Sequence, residues 1–544
     1  MEVKPKHIVH KLSCEIKTSN SQTAQLFKDN LGDWLNNELL PLIEDYLDKM
    51  DDNAGLLHFQ IPKLALTLQS PTPLFEGKRA LLNLKSSDQL LHQARRQLEK
   101  QLRRLEQGLA EENLTDSQNR IIVNNQSSAS AIYNNLDRKV NTIIYILTNG
   151  YKPWWLGNEE KAPLFFSDWE HKQAVNEILS HAEFRNFLKQ AVRDPLLRKR
   201  LVYQFSFEQN QIIFDHYINS EFDVNLDNKL VKTLNKSLIK NLKIPVWSFL
   251  WTIDKDSDYR QGFLKLINSV FTKMISSSTD SKGEAQDFLK YALKLFGSIN
   301  KKVTVQQVGS INDCVEKGEI ISEKLFQRLL KSPEFNPDNY LNGRSIEKDD
   351  SGKMESSPPS RKLDDPIQYF KDDNGQNNLD EGGMQVEQAG LILLHPFLKE
   401  FFLQTQLLNA QNEFVDVNRA VMLLHYLATK EELAFDHELI FEKFCCGLAV
   451  DTPIDREIKL TDIEKAQTEE LLAEVIGHWK ALKGTGTDTL RAEFLCRNGL
   501  LIFHGRYPKL VMERKTQDIL LDKLPWGIGM ARFPWKKELL FVEW

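Results

Sequence analysis

Between Asn342 and Gly383 the chain carries KDDSGKMESSPPSRKLDD and KDDNGQNNLDEGG, a stretch rich in Asp, Ser, Pro, Asn and Gly and thin in large apolar residues. Such a segment buries too little surface to offset the entropy of ordering it. It predicts a disordered acidic linker over 342–386, so the rest of the chain must fold as separate bodies on either side. Length points the same way, because 544 residues exceed one core and suggest roughly two to four domains. The reading places an α/β unit with a long helix at 1–115, a helical middle domain at 116–341, and a helical domain closing on β-hairpins at 387–544.

Periodicity fills in these bodies. HIVHKLSCEI (7–16) alternates and reads as a strand. Leu26, Leu31, Leu35, Leu39, Leu42 and Leu47 follow at helical spacing, with a break or kink expected at Pro41 before the last turns. HFQIPKLALTL (58–68) reads as a second strand, which makes a small strand-helix-strand unit. Leu91, Ala94, Leu98, Leu102, Leu105 and Leu109 recur every three or four residues and predict one long helix. From about 127 to 340 the pattern is almost wholly helical. In its clearest stretch Leu230, Leu234, Leu238 and Leu242 lie beside a stripe of Lys229, Lys232, Lys236, Lys240 and Lys243. That stripe reads as a solvated helix face, or as a docking face for an acidic partner.

Beyond the linker, helices are expected over 389–402, 419–428 and 437–448. Thr461 with Glu464 forms a capping-box pair that opens a fourth, and a short helix covers 490–496. Strands are expected at 500–503, 510–513, 528–533 and 539–542, with turns at 504–508 and 535–538. The fold class is α+β, predominantly helical, ending in a small antiparallel sheet.

Composition narrows the function. A net charge of −6 argues against dedicated nucleic-acid binding. No apolar run is long enough to span a bilayer, and residues 1–18 lack the apolar core of a secretory leader. Five unevenly spaced cysteines suggest no disulfide framework and fit a reducing compartment. The chemical motifs are weak. GTGT (484–487) lacks the Gly-Lys-Ser/Thr of a phosphate loop, and Gly527-Ile528-Gly529 lacks the third glycine of a dinucleotide fingerprint. His437, Cys445 and Cys446 lack metal-ligand spacing and read as core residues, as His395 reads as a helix-end histidine. No catalytic, cofactor or metal site is expected.

The ordered series AGLILLHPFLKEFF (389–402), RAVMLLHYLATKE (419–431), HELIFEKFCCGLAVDTPI (437–454), LLAEVIGHWKAL (471–482), LRAEFLCRNGLL (490–501) and LPWGIGMARFPWKKELLFVEW (524–544) resembles the tape measure proteins of contractile injection systems. These systems are phage-tail-like particles, and members of the family similarly place Leu-Pro-Trp and Val-Glu-Trp in this region. ILTNGYKPWW (146–155) resembles the family's Thr-Gly-x-x-Pro-Trp-Trp segment, and RKRLVYQFS (198–206) is a weaker echo.

The resemblance implies a non-enzymatic protein that helps assemble the particle and sets the length of its inner tube and sheath. Its implied partners are inner tube and baseplate proteins and further copies of itself, with no nucleic acid. Its implied place is the bacterial cytoplasm during assembly. A chaperone or adaptor for the particle's effectors is the alternative, and a hydrolase built around His437 and the paired cysteines a third. The residues that carry the resemblance, Pro153, Trp154, Trp155, Leu524, Pro525, Trp526, Pro534, Trp535, Val542, Glu543 and Trp544, are the candidate interaction site. The tryptophans of 524–544 are expected either to close the C-terminal core or also to project as docking anchors.

Overall fold

The structure, a computed structural model, describes most residues between 7 and 112, together with 131–156, 172–222, six positions between 243 and 251, and 383–544 except 504–506. The lysine stripe apart from Lys243, the remaining helical middle and the acidic segment up to 382 lie outside the described residues. The chain divides into two compact units, 1–145 with 153–166, and 146–152 with 167–544.

In the first unit α1 (Ser21–Trp34) and α2 (Leu40–Ala54) are joined without a break. Pro41 does not stop the helix. Leu35–Leu39 widens into a π-turn, in which the Leu40 N–H reaches the Leu35 carbonyl. The wider turn relieves the crowding that a proline ring imposes on the preceding turn. The expected strand at 7–16 is absent at its described positions: residues 12–18 have no regular structure, and their described side chains lie exposed. β1 (His58–Gln60) pairs antiparallel with β4 (Ala131–Tyr133), and β2 (Phe75–Glu76) with β3 (Leu81–Leu82). Trp34, Leu39, Leu74, Phe75, Leu90 and Ala94 form the core, and Trp34 Nε1 donates to Ser87 Oγ at 2.7 Å.

The long helix is present as α3 (Leu84–Glu112). It holds residues 65–69 by side chains instead of a ladder. Gln97 donates to the Thr67 carbonyl at 2.6 Å and accepts from the Thr67 N–H at 2.9 Å. Gln93 does the same for Gln69, at 2.6 and 2.9 Å, and Gln101 donates to the Ala65 carbonyl at 2.6 Å. The match is metric. Four helical residues rise about 6 Å, and two extended residues about 6.6 Å. This arrangement replaces most of the strand expected at 58–68, which survives only as β1. Gln97→Ala is expected to speed amide exchange at Thr67 about tenfold, the effect of losing roughly 1.4 kcal/mol of local protection. Hydrogen exchange read by NMR or mass spectrometry checks it, with Gln60 as the unaffected reference.

α4 (Asn135–Asn149) crosses the division between units. In the second unit follow α5 (Lys172–Ser180), α6 (Ala182–Arg193), α7 (Pro195–Gln204) and α8 (Phe207–Phe222). The C-terminal part adds β5 (Met384–Val386), α9 (Leu398–Gln404), α10 (Val417–Thr429), α11 (Ile440–Cys445), α12 (Asp462–His478) and the short α13 (Thr487–Leu490). Its strands are β6 (Gly499–Ile502), β7 (Lys509–Met512), β8 (Met530–Ala531) and β9 (Leu540–Glu543).

The Thr461–Glu464 capping box forms as expected, with Thr461 N to Glu464 Oε2 at 2.6 Å and Glu464 N to Thr461 Oγ1 at 3.2 Å. The apolar run at 389–402 is two pieces, a 3₁₀ turn over Ala389–Leu394 and then α9, parted at His395-Pro396. Inside the 3₁₀ turn, a Cβ on Gly390 would lie 1.7 Å from the Phe494 carbonyl oxygen, so only glycine fits.

The sheet runs β5-β6-β7-β9-β8. It is mixed, not purely antiparallel as expected, because β7 and β9 pair in parallel with Leu510 opposite Val542. The chain between them is long enough for a crossover, since it holds the 3₁₀ segment Thr516–Lys523 and β8.

Candidate functional site

Three of the segments singled out in the sequence meet at one buried ion cluster. Asp194 starts α7 by accepting from the N–H groups of Leu196 and Leu197 at 2.7 and 3.1 Å, with Pro195 in the first turn. This sets the inward face of the helix as Leu197, Arg200, Leu201 and Gln204. Arg200 Nη1 donates to the carbonyls of Leu147 and Thr148 at 2.7 and 2.6 Å, and Nη2 donates to the Asp451 carbonyl. Its Nε meets Asp436 Oδ2 at 3.0 Å.

The other Asp436 oxygen accepts from Lys443 Nζ at 2.6 Å and from the Ile454 N–H at 3.1 Å. Lys443 also donates to the carbonyls of Asp436 and Val450, at 3.0 and 3.1 Å. Burial pushes the Lys443 ammonium below its ordinary pKa, and Asp436 opposes that shift. Gly150 closes the cluster. Its φ of +80° ends α4, and a Cβ there would crowd Arg200 Nη2 at 3.0 Å and Asp436 Oδ2 at 3.2 Å. Each nitrogen of the two cations has an acceptor, so the cluster holds residues 147–150, α7 and residues 436–454 together.

The segment 524–544 lies on the same unit through three separate tryptophan contacts. Trp526 Nε1 donates to the Leu393 carbonyl at 3.0 Å, and its ring meets Phe397 edge-on at 5.0 Å. Trp535 is buried, donates to the Cys445 carbonyl at 2.7 Å, and packs against Phe402, Phe414 and Phe533. Trp544 Nε1 donates to Asp518 Oδ2 at 3.1 Å, and its ring lies 5.4 Å from the guanidinium of buried Arg497. Next to Trp535, Lys536 Nζ donates to the Phe444 carbonyl at 3.0 Å and sits 3.4 Å from the centre of that ring. Burial lowers its pKa to about 8.

Pro525, Pro534 and Glu543 are exposed, while Leu524 and Val542 are half-buried. What points outward is different. Met530 and Phe541, directly opposite across β8 and β9, are 53% and 40% exposed. Tyr507, 38% exposed, has its ring centre 5.7 Å from that of Phe541, the two tilted by 56°.

Pro153, Trp154 and Trp155 belong to the first unit. Pro153 is buried. Trp155 donates to Thr142 Oγ1 at 3.1 Å, accepts from Arg138 at its carbonyl, and meets Tyr145 edge-on at 5.1 Å.

The sequence matches the family described as contractile injection system tape measure protein over residues 6–544. The chain belongs to that family. No curated protein and no solved structure matches it.

In this tape measure protein the residues set aside in the sequence have structural surroundings. Burial raises both the Cys445 and Cys446 thiols well above their ordinary pKa, which keeps them neutral and unreactive. His437 is buried and stacks on Phe435 at 5.8 Å, and burial holds its pKa well below the usual value. His395 hydrogen-bonds the Ile392 carbonyl at the end of the 3₁₀ turn. Among the described residues no group of three or more His, Cys, Asp or Glu side chains could hold a metal, and no helix is long and apolar enough to cross a membrane.

Arg200, Asp436 and Lys443 were not distinguished in the sequence of this tape measure protein, although two of their segments were. The one legible signal was Lys443 on an apolar helical face in HELIFEKFCC; Arg200, the other cation on Asp436, lies 236 positions before that carboxylate.

Proposed function

We propose that the protein is a non-enzymatic assembly factor of the particle, acting in the bacterial cytoplasm from the baseplate side and setting the length of the inner tube and sheath. It docks on inner tube and baseplate components through the strip Met530–Phe541–Tyr507. The observation that carries this reading is the inside-out disposition of 524–544: its tryptophans are used in the unit's own packing, while two apolar side chains of the sheet and a tyrosine face outward. Pro153, Trp154 and Trp155 serve the packing of their own unit, and Trp526, Trp535 and Trp544 hold the docking strip in place. Leu524, Pro525, Pro534, Val542 and Glu543 shape the same segment.

Met530→Asp combined with Phe541→Asp is expected to leave the unfolding midpoint unchanged and to abolish co-purification with tube and baseplate components. Unaltered co-purification would exclude the strip as the docking surface. An effector bound one-to-one in place of tube components would mean an adaptor.

Length setting has its own test. The longest continuous helical stretch among the described residues, the 34 residues of Ser21–Ala54, reaches only about 51 Å at 1.5 Å per residue. A ruler therefore needs extension elsewhere in the chain. Shortening or lengthening 210–340 is expected to change tube length in electron micrographs, and constant length would leave assembly without measurement.

A further inference from the structure

The first unit contains two halves of a β-pair that do not meet. Residues 65–69 are held by α3 only through alternate positions, Ala65, Thr67 and Gln69. In an extended chain successive backbone N–H and C=O groups point to opposite edges. The groups of Leu64, Leu66 and Leu68 therefore point away from α3, and no hydrogen bond to them occurs among the described residues. The side chains of these leucines are half-buried, with Leu66 and Leu68 packed on the core. Among the described residues this is an open strand edge backed by an apolar surface, a template for another strand.

The complementary piece is the segment that alternates in the sequence but forms no strand. Leu12, Cys14 and Ile16 share one face at period two, and all three are exposed. Their backbone has no ladder among the described residues. Five residues, 12–16, match five residues, 64–68, at about 3.3 Å per residue, with three apolar side chains on each. The incoming face would extend the apolar surface that Leu64, Leu66 and Leu68 begin.

We infer that residues 12–16 of one copy of this chain pair as a strand on the 64–68 edge of a second copy, and that the exchange is reciprocal. A second copy is the occupant because each copy carries both halves, neither of them paired among the described residues. A two-fold arrangement pairs the 64–68 edge of each copy at once and closes the assembly.

The test uses full-length chains in sedimentation and hydrogen exchange. Ser13→Pro with Cys14→Pro removes two adjacent N–H donors, one of which faces the edge in either register. Both positions are exposed, so folding is untouched. Leu66→Pro removes a donor of the open edge and keeps the Gln97 contacts, because Thr67 supplies those.

The expected result is a wild-type dimer, at least a tenfold weaker association for each variant alone, and a 1:1 complex when the two variants are mixed. In the mixture the intact strand of one fits the intact edge of the other. Ser13→Thr with Cys14→Val should dimerise as the wild type does. A monomeric wild type, or a dimer untouched by the proline pair, overturns the inference. Exchange protection of 12–16 in a monomer also overturns it, because the strand would then pair within its own chain. Should Leu66→Pro fail to fold, the proline pair against wild type still decides.

Discussion

Asp436→Ala is expected to lose about 3–5 kcal/mol and to leave the second unit largely unfolded at ordinary temperature. Among the described residues Asp436 is the one carboxylate in hydrogen-bond contact with both Arg200 and Lys443, at 3.0 and 2.6 Å, and all three side chains are almost fully buried. Without it two cations remain in the interior with carbonyl partners alone, and the Ile454 N–H loses its acceptor. Removing one partner of a buried ion group costs far more than the group contributes as a whole, because the remaining charges cannot be rehydrated. A domain stable by about 5–15 kcal/mol has little margin for such a loss. The sharper expectation concerns the triple change Arg200→Met, Asp436→Leu, Lys443→Met. It should be less destabilising than Asp436→Ala alone, in spite of altering three positions. Urea unfolding of the full-length chains measures both, and a triple variant weaker than the single one would mean that the cluster's carbonyl bonds outweigh its charges.

Trp535→Ala comes next, at about 3–5 kcal/mol, the cost of emptying a large aromatic site in a packed core. Phe402 and Phe414 would lose the ring that lies between about 5 and 5.5 Å from each, and the Cys445 carbonyl would lose its donor. Because Lys536 follows directly and is fixed on Phe444, the loosening should spread to β8 and β9. Trp526→Ala should cost less, within the usual range of about 0.5–3 kcal/mol, since Trp526 is only half-buried. Thermal unfolding gives the ranking, and co-purification with particle components on the same samples shows whether any effect exceeds the loss of fold. If Trp526→Ala kept full stability yet abolished co-purification, Trp526 itself would be a docking residue.

These two sites differ in how far they could be foreseen. Trp535 lies in a segment whose composition announced aromatic burial, and both Pro-Trp pairs were legible as special. Which tryptophan faced inward was not, because that depends on Phe402 and Phe414, more than 100 positions earlier. The cluster around Asp436 was less legible still. A charged residue in an apolar helix reads as a boundary or an exposed face until its partner is known. The glutamines of α3 show the same limit: Gln93, Gln97 and Gln101 recur every fourth residue in plain sight, yet the pattern has meaning only when an extended chain runs beside them.

What the amino-acid sequence determined by itself is what local physics controls. The spacing of Leu91, Ala94 and Leu98 specifies α3, Thr461 with Glu464 specifies the start of α12, and the order of the C-terminal motifs points to the family. Each depends on residues within a few turns of one another or on plain succession along the chain. The tertiary structure alone decided the rest: the parallel pairing of β7 with β9, the glycine demanded at 390 by the Phe494 carbonyl, the burial of Arg200 with Asp436 and Lys443, and the outward turn of Met530 and Phe541. Those features come from groups brought together across tens to hundreds of positions, where close packing and the cost of burying an unpaired charge, not local propensity, select the arrangement.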